Sequence, residues 1–157
     1  MIDIEIEDAA WTDALPDAEA LVRKAADAAL SFLPPELPEE VGPVILLTDD
    51  ETVRELNARF RGKDAATNVL SFPAPETSRP HLGDIALAFG VCSGEAAAQG
   101  KPLGHHLQHL VVHGVLHLVG YDHMTDDEAE EMEGLERVVL AGLGVSDPYA
   151  AEHGDDG

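Results

Sequence analysis

Between positions 113 and 123 the chain reads HGVLHLVGYDH, and three histidines fall there at offsets of zero, four and ten. At about 100° per residue, His113 and His117 lie one turn apart on one face of a helix, so their imidazoles can share an ion. Gly120 falls where that helix must stop, because glycine takes the left-handed conformation that ends a helix and swings the chain back. The turn brings His123 round as a third ligand. The segment is therefore expected to supply a helix, a stop and a return.

The spacing equals that of the metzincin motif H-E-x-x-H-x-x-G-x-x-H, with Gly114 at the glutamate position. The general base of a metalloprotease is therefore missing. Three neutral imidazoles leave one tetrahedral position of a zinc ion open to water, and such an ion lowers the pKa of that water to roughly 7. Hydrolytic chemistry survives without the glutamate. The plainer alternative is a helical histidine pair and a loop histidine with no metal, but three histidines with a glycine at the turn point to a bound transition metal.

A length of 157 residues is that of one domain. Nine Lys and Arg against 31 Asp and Glu give a formal net charge of −22. A field of that sign repels phosphate backbones, so indiscriminate nucleic-acid binding is disfavoured and an RNA partner needs a local basic patch. Arg54, Arg59, Arg61 and Lys63 put four of the nine cations in one ten-residue span, with Arg79 further on. A solvated helix face accounts for Arg54 and Arg59; Arg61 and Lys63 are harder to explain that way. The single cysteine, Cys92, excludes an internal disulfide. The acidic, alternating start does not read as a secretory signal, and no apolar run is long enough to span a bilayer. A reducing cytoplasm is the expected location.

Ile2, Ile4 and Ile6 alternate with acidic residues, which predicts a strand over 1–7. Trp11 to Leu15 reads as a connector. Leu21, Val22, Ala25, Ala29, Phe32 and Leu33 predict an amphipathic helix from Pro16 to Leu33, ended by Pro34 and Pro35. Val44 to Leu47 is a buried strand, and Thr48 with Glu51 reads as a capping box for a helix with Val53, Leu56 and Phe60 inside, stopped by Gly62. Val69 to Phe72 and Gly83 to Phe89 are further strands, separated by an exposed loop from Ala74 to Pro80. A short helix over 93–100 precedes one from about Leu103 to Val119 that is apolar almost all round. His109 lies on it, either as a contact behind the metal ligands or as a packed histidine. Thr125 and Glu128 form a capping box for a last helix, stopped by Gly142 or Gly144. The order predicts one α/β (α+β) domain over 1–149 with a four-stranded, mixed sheet packed with helices, followed by an acidic tail over 150–157 expected to be disordered.

Phe60-Arg61-Gly62-Lys63-Asp64, Thr67 to Pro73, Leu82-Gly83-Asp84-Ile85, the histidine segment, Asp127 to Met132 and Asp147-Pro148-Tyr149 together resemble the YbeY endoribonucleases, the bacterial rRNA maturation RNases. The resemblance implies a zincin-like helix whose His113 and His117, with His123, bind one divalent metal, commonly zinc. Arg61 matches the family's functional arginine, His117 is a catalytic position, Lys63 assists in holding phosphate, and Ser71 either touches substrate or satisfies the backbone. The implied activity is metal-dependent endonucleolytic cleavage of single-stranded RNA in rRNA maturation, at the small-subunit RNA 3′ end, and in ribosome quality control. Ribosomal small-subunit proteins and an Era-type GTPase are the implied partners. Asp122 either orients a ligand imidazole or caps a turn, and Asp64 and Asp84 carry the same ambiguity.

Two other readings compete. The metzincin spacing suggests a peptidase, against which stand Gly114 and the Arg61 and Lys63 loop. A non-catalytic ribosome-assembly factor would hold a structural metal, which ordinarily closes its fourth position with a protein ligand, and His109 is the only near candidate. With few aromatic stacking platforms, Phe60, Phe72 and Tyr121 being nearest the motifs, the chain is expected to grip free RNA weakly.

Overall fold

The computed structural model describes residues 2–31, 42–74, 81–118 and 125–145. The expectations for Gly120 to His123, for 32–41 and 75–80, and for the tail lie outside these residues. In chain order the elements are β1 (Asp3–Ile6), α1 (Ala10–Ala14), α2 (Ala18–Leu30), β2 (Gly42–Thr48), α3 (Asp50–Arg61), β3 (Val69–Pro73), β4 (His81–Ala88), α4 (Phe89–Gln99), α5 (Leu103–Leu118) and α6 (Asp126–Gly142).

The four strands form one mixed sheet in the order β1-β2-β4-β3. β1, β2 and β4 run parallel, and β3 closes one side antiparallel to β4. Parallel neighbours need a crossover, so α2 carries the chain from β1 to β2 and α3 lies between β2 and the second pair of strands. Because successive strand residues point to opposite faces, the sheet has two cores. One joins Val53 of α3 to Leu70, Ala86 and Ala88, with Leu56, Phe72 and Val91 at its margin. The larger one packs Ile45, Leu47, Ile85 and Leu87 against the buried faces of α2, α5 and α6. β3 is thus an outer strand with α3 on one side and α5 on the other.

Two local expectations are corrected. The segment around Trp11 is no mere connector: α1 forms there because Trp11 is fully buried and its indole N–H donates to the carbonyl of Thr48 at 2.9 Å. Thr48 does not cap α3, since it is buried in β2; the cap is Asp49, whose Oδ1 accepts from the Thr52 amide at 2.7 Å. That hydrogen bond holds the Asp49 carboxyl below its ordinary pKa. The capping box of Thr125 and Glu128 forms as the sequence predicts.

Candidate functional site

α5 is buried along Leu107, Leu110, Val111, Val112, Val115, Leu116 and Leu118 because it lies between the sheet and its helical neighbours α2 and α6. Of its two glycines, Gly114 is the one that lies against the strands. A Cβ built on Gly114 would stand 3.1 Å from two carbons of Ile85 and 3.2 Å from the Ser71 hydroxyl. A larger residue there would require Ile85 and Ser71 to give way by a few tenths of an ångström, so packing disfavours a glutamate at the metzincin position of this helix. Gly83 of β4 plays a similar part at the end of β3: at φ +149° its added Cβ would meet the Phe72 carbonyl at 2.5 Å and Leu118 at 2.7 Å.

His113 and His117 come together as the helical spacing requires, with ring centroids 4.6 Å apart and the rings nearly perpendicular. Both imidazoles are partly exposed. His113 donates from Nδ1 to Oε2 of Glu136 at 2.9 Å, and His109 donates from Nε2 to Oε1 of the same carboxylate at 2.8 Å. A carboxylate only accepts, so its bond to Nδ1 places the proton of neutral His113 there and leaves Nε2 as the basic nitrogen. Glu136 itself is 0% exposed, and two donated hydrogen bonds offset the cost of burying its charge. His109 is therefore held as a partner of Glu136.

Arg61 closes α3, and Gly62 in the left-handed region (φ 71°) turns the chain away after it. Its guanidinium donates to the Ser71 carbonyl at 2.9 Å and lies with Cζ 5.6 Å from the centre of the Phe72 ring. Ser71 thus takes Arg61 on its backbone while its hydroxyl faces Gly114 on α5. Lys63 is exposed just beyond α3. Arg54 and Asp64 neutralise each other through contacts of 2.7 and 3.2 Å, and this pairing holds the Asp64 carboxyl below its ordinary pKa. Asp64 is thus the ion-pair partner of Arg54. Asp84 is exposed on β4, opposite Phe72 in register. Among the described residues, no carboxylate pairs with Arg59, Arg61 or Lys63.

His123 and Asp122 lie outside the described residues. Among the described ones, no group of three His, Cys, Asp or Glu side chains is placed to hold a metal ion. The donor set still fits one in its chemistry, because a basic Nε2 on His113, oriented through Nδ1 by a buried carboxylate, is the usual state of a metal-binding imidazole.

Sequence reasoning missed Glu136. It sits among Glu130, Glu131 and Glu133, where one acid looks like another, yet it falls four residues after Met132 and three before Val139, on the buried stripe of α6. An acid in phase with the apolar residues of a helix was the available signal.

A mixed four-stranded sheet with a central histidine-bearing helix, and an arginine held at the adjoining outer strand, defines an α+β protein with an imidazole-based site open to an anionic substrate. The solution structure of TM1509 from Thermotoga maritima is similar over 100% of this chain and 99% of that one, at 25% identity and a TM-score of 0.56. A family model described as Endoribonuclease YbeY matches residues 4–144. Proteins named Endoribonuclease YbeY are 54% identical in Azorhizobium caulinodans over 153 residues (95% of this chain, 96% of that protein) and 53% identical in Maricaulis maris over 151 residues (96% and 92%). The chain belongs to the YbeY endoribonuclease family.

Proposed function

We propose that the chain is a metal-dependent endoribonuclease that cuts single-stranded RNA in rRNA maturation, at the small-subunit RNA 3′ end, and in ribosome quality control. The observation that carries this reading is the bridging position of Ser71. Its carbonyl holds Arg61 and its hydroxyl faces the turn of α5 between His113 and His117, so a phosphate reader on α3 and an imidazole pair on α5 both adjoin β3. Family membership supports the nuclease part of the reading, through the names its relatives carry.

His113 and His117, with His123, would hold one divalent ion, zinc by donor type. Such an ion supplies Lewis-acid polarisation of a phosphate oxygen. The chain's own groups do the rest. Arg61 uses one N–H on Ser71 and keeps others for a phosphate and for the charge that builds on it during cleavage. Lys63 adds a second cation beside it. Glu136 fixes the proton on Nδ1 of His113, and Ser71 offers a hydroxyl at the strand. Gly114 supplies no peptidase base, and the close approach of Ile85 and Ser71 disfavours one there, which weighs against peptide hydrolysis.

Single-stranded RNA is the proposed substrate, with ribosomal small-subunit proteins and an Era-type GTPase as partners in the cytoplasm. A net charge of −22 supports delivery to the substrate by such partners. No helix among the described residues is long and apolar enough to cross a membrane.

The test is metal content by elemental analysis alongside RNA cleavage by the wild type, Arg61→Ala and His117→Ala. About one metal per chain, with cleavage lost in both folded variants, is the expected result. Metal without cleavage would favour a non-catalytic assembly factor, and no metal after reconstitution would remove the basis of the proposal.

A further inference from the structure

Phe60 lies on the face of α3 that carries Val53 and Leu56, yet it is 61% exposed, where the sequence places it inside. The last turn of α3 has reached the outer strand, and beyond β3 no further strand among the described residues covers the ring. From the sheet Phe72 meets it, with ring centroids 5.4 Å apart and planes tilted by 59°. Each ring has a guanidinium beside it, Arg59 at 6.0 Å from the centre of Phe60 and Arg61 at 5.6 Å from that of Phe72. In a chain with 31 acidic residues, Arg59, Arg61 and Lys63 have no carboxylate partner among the described residues. An aromatic face set among unneutralised cations is complementary to a base attached to phosphates.

We propose that Phe60, backed by Phe72, is a stacking platform for a base of single-stranded RNA next to the phosphate held by Arg61. The inference rests on the ribonuclease reading and deepens it by giving the substrate a second point of contact. Ser71 and Phe72 are consecutive on β3, so their side chains point to opposite faces of the sheet, one toward the histidine helix and the other toward Phe60. An RNA strand crossing the open side of β3 passes from the imidazole pair over Arg61 to the platform. Stacking is indifferent to base identity, so the platform supplies grip and register rather than sequence preference. It also provides attraction that the overall charge of the chain denies.

The test pairs Phe60→Ala with removal of the base it would touch. Binding of a short single-stranded RNA is followed by fluorescence anisotropy, and cleavage by steady-state kinetics, with an abasic site moved through the positions flanking the cleaved phosphate. Phe60→Ala should weaken binding and raise KM about ten-fold with little change in kcat, a size in keeping with loss of one base–aromatic stack. Phe60→Trp should restore both. At one abasic position the wild type should lose a similar factor, and Phe60→Ala should then add nothing.

Binding unchanged in Phe60→Ala would overturn the platform, as would an equal loss on intact RNA and on every abasic RNA, which would mean that no base is the partner. Because anisotropy reads binding without turnover, a wild type that binds RNA through Phe60 but does not cut it would refute the nuclease reading and leave the platform standing.

Discussion

Glu136 accepts a hydrogen bond from Nδ1 of His113 across 23 residues of sequence, at 2.9 Å and out of reach of solvent. The bond sets which nitrogen of neutral His113 carries the proton, so α6 reaches the imidazole pair through a buried carboxylate.

Glu136→Gln keeps the shape of the side chain but offers one acceptor where two imidazole N–H groups donate. Zinc affinity of the folded protein should fall roughly 10- to 100-fold, as when other groups behind metal ligands are replaced. Competition with a chromophoric chelator measures it, and an affinity within two-fold of the wild type would exclude the orienting role.

Gly114→Glu restores the metzincin pattern in sequence and places a side chain where Ile85 and Ser71 already lie. Overpacking of this kind costs about 1–3 kcal/mol or more. A lower urea midpoint and no gain of peptidase activity are expected; a stable variant that hydrolyses peptides would revive the protease reading.

His106 is buried, and burial lowers its pKa below the ordinary 6.5, outweighing the hydrogen bond to Glu95, which raises it. The unfolded chain therefore takes up this proton at higher pH than the folded one. The contribution is fully present above about pH 6.5 and is lost as pH falls through the folded value. Denaturation at pH 7.5 and 5.5 should show a drop in wild-type stability that is smaller in His106→Gln; equal drops would refute the assignment.

Cys92 is buried and its thiol is pushed up to about 12, with desolvation the main cause and the Glu95 charge the next. At pH 8 the native protein should react with a disulfide reagent at least a hundred-fold more slowly than the urea-unfolded chain, since the thiolate is the reactive form. Rapid native labelling would show that the residue is reached by solvent.

The order of elements was legible because it rests on local signals. Alternation at Ile2, Ile4 and Ile6, the capping residues before α6 and the apolar run of α5 each act within a few residues. The histidine pair was legible for the same reason, since a helical turn brings His113 to His117. What escaped notice depends on how distant segments meet. Glu136 becomes meaningful only when α6 packs beside α5, and the exposure of Phe60 only when β3 proves to be the outer strand. Thr48 was misread because a strand residue and a cap residue look alike until the helix start is fixed; Asp49, one position later, had equal chemistry.

The pairing of Glu136 with His113 also has a consequence in time. Since α6 follows α5 in the chain, a ribosome making this protein releases His113 before the carboxylate that orients it. His113 of the nascent chain lacks this partner until translation has passed Glu136, so the imidazole is oriented only after all four strands of the sheet have been made.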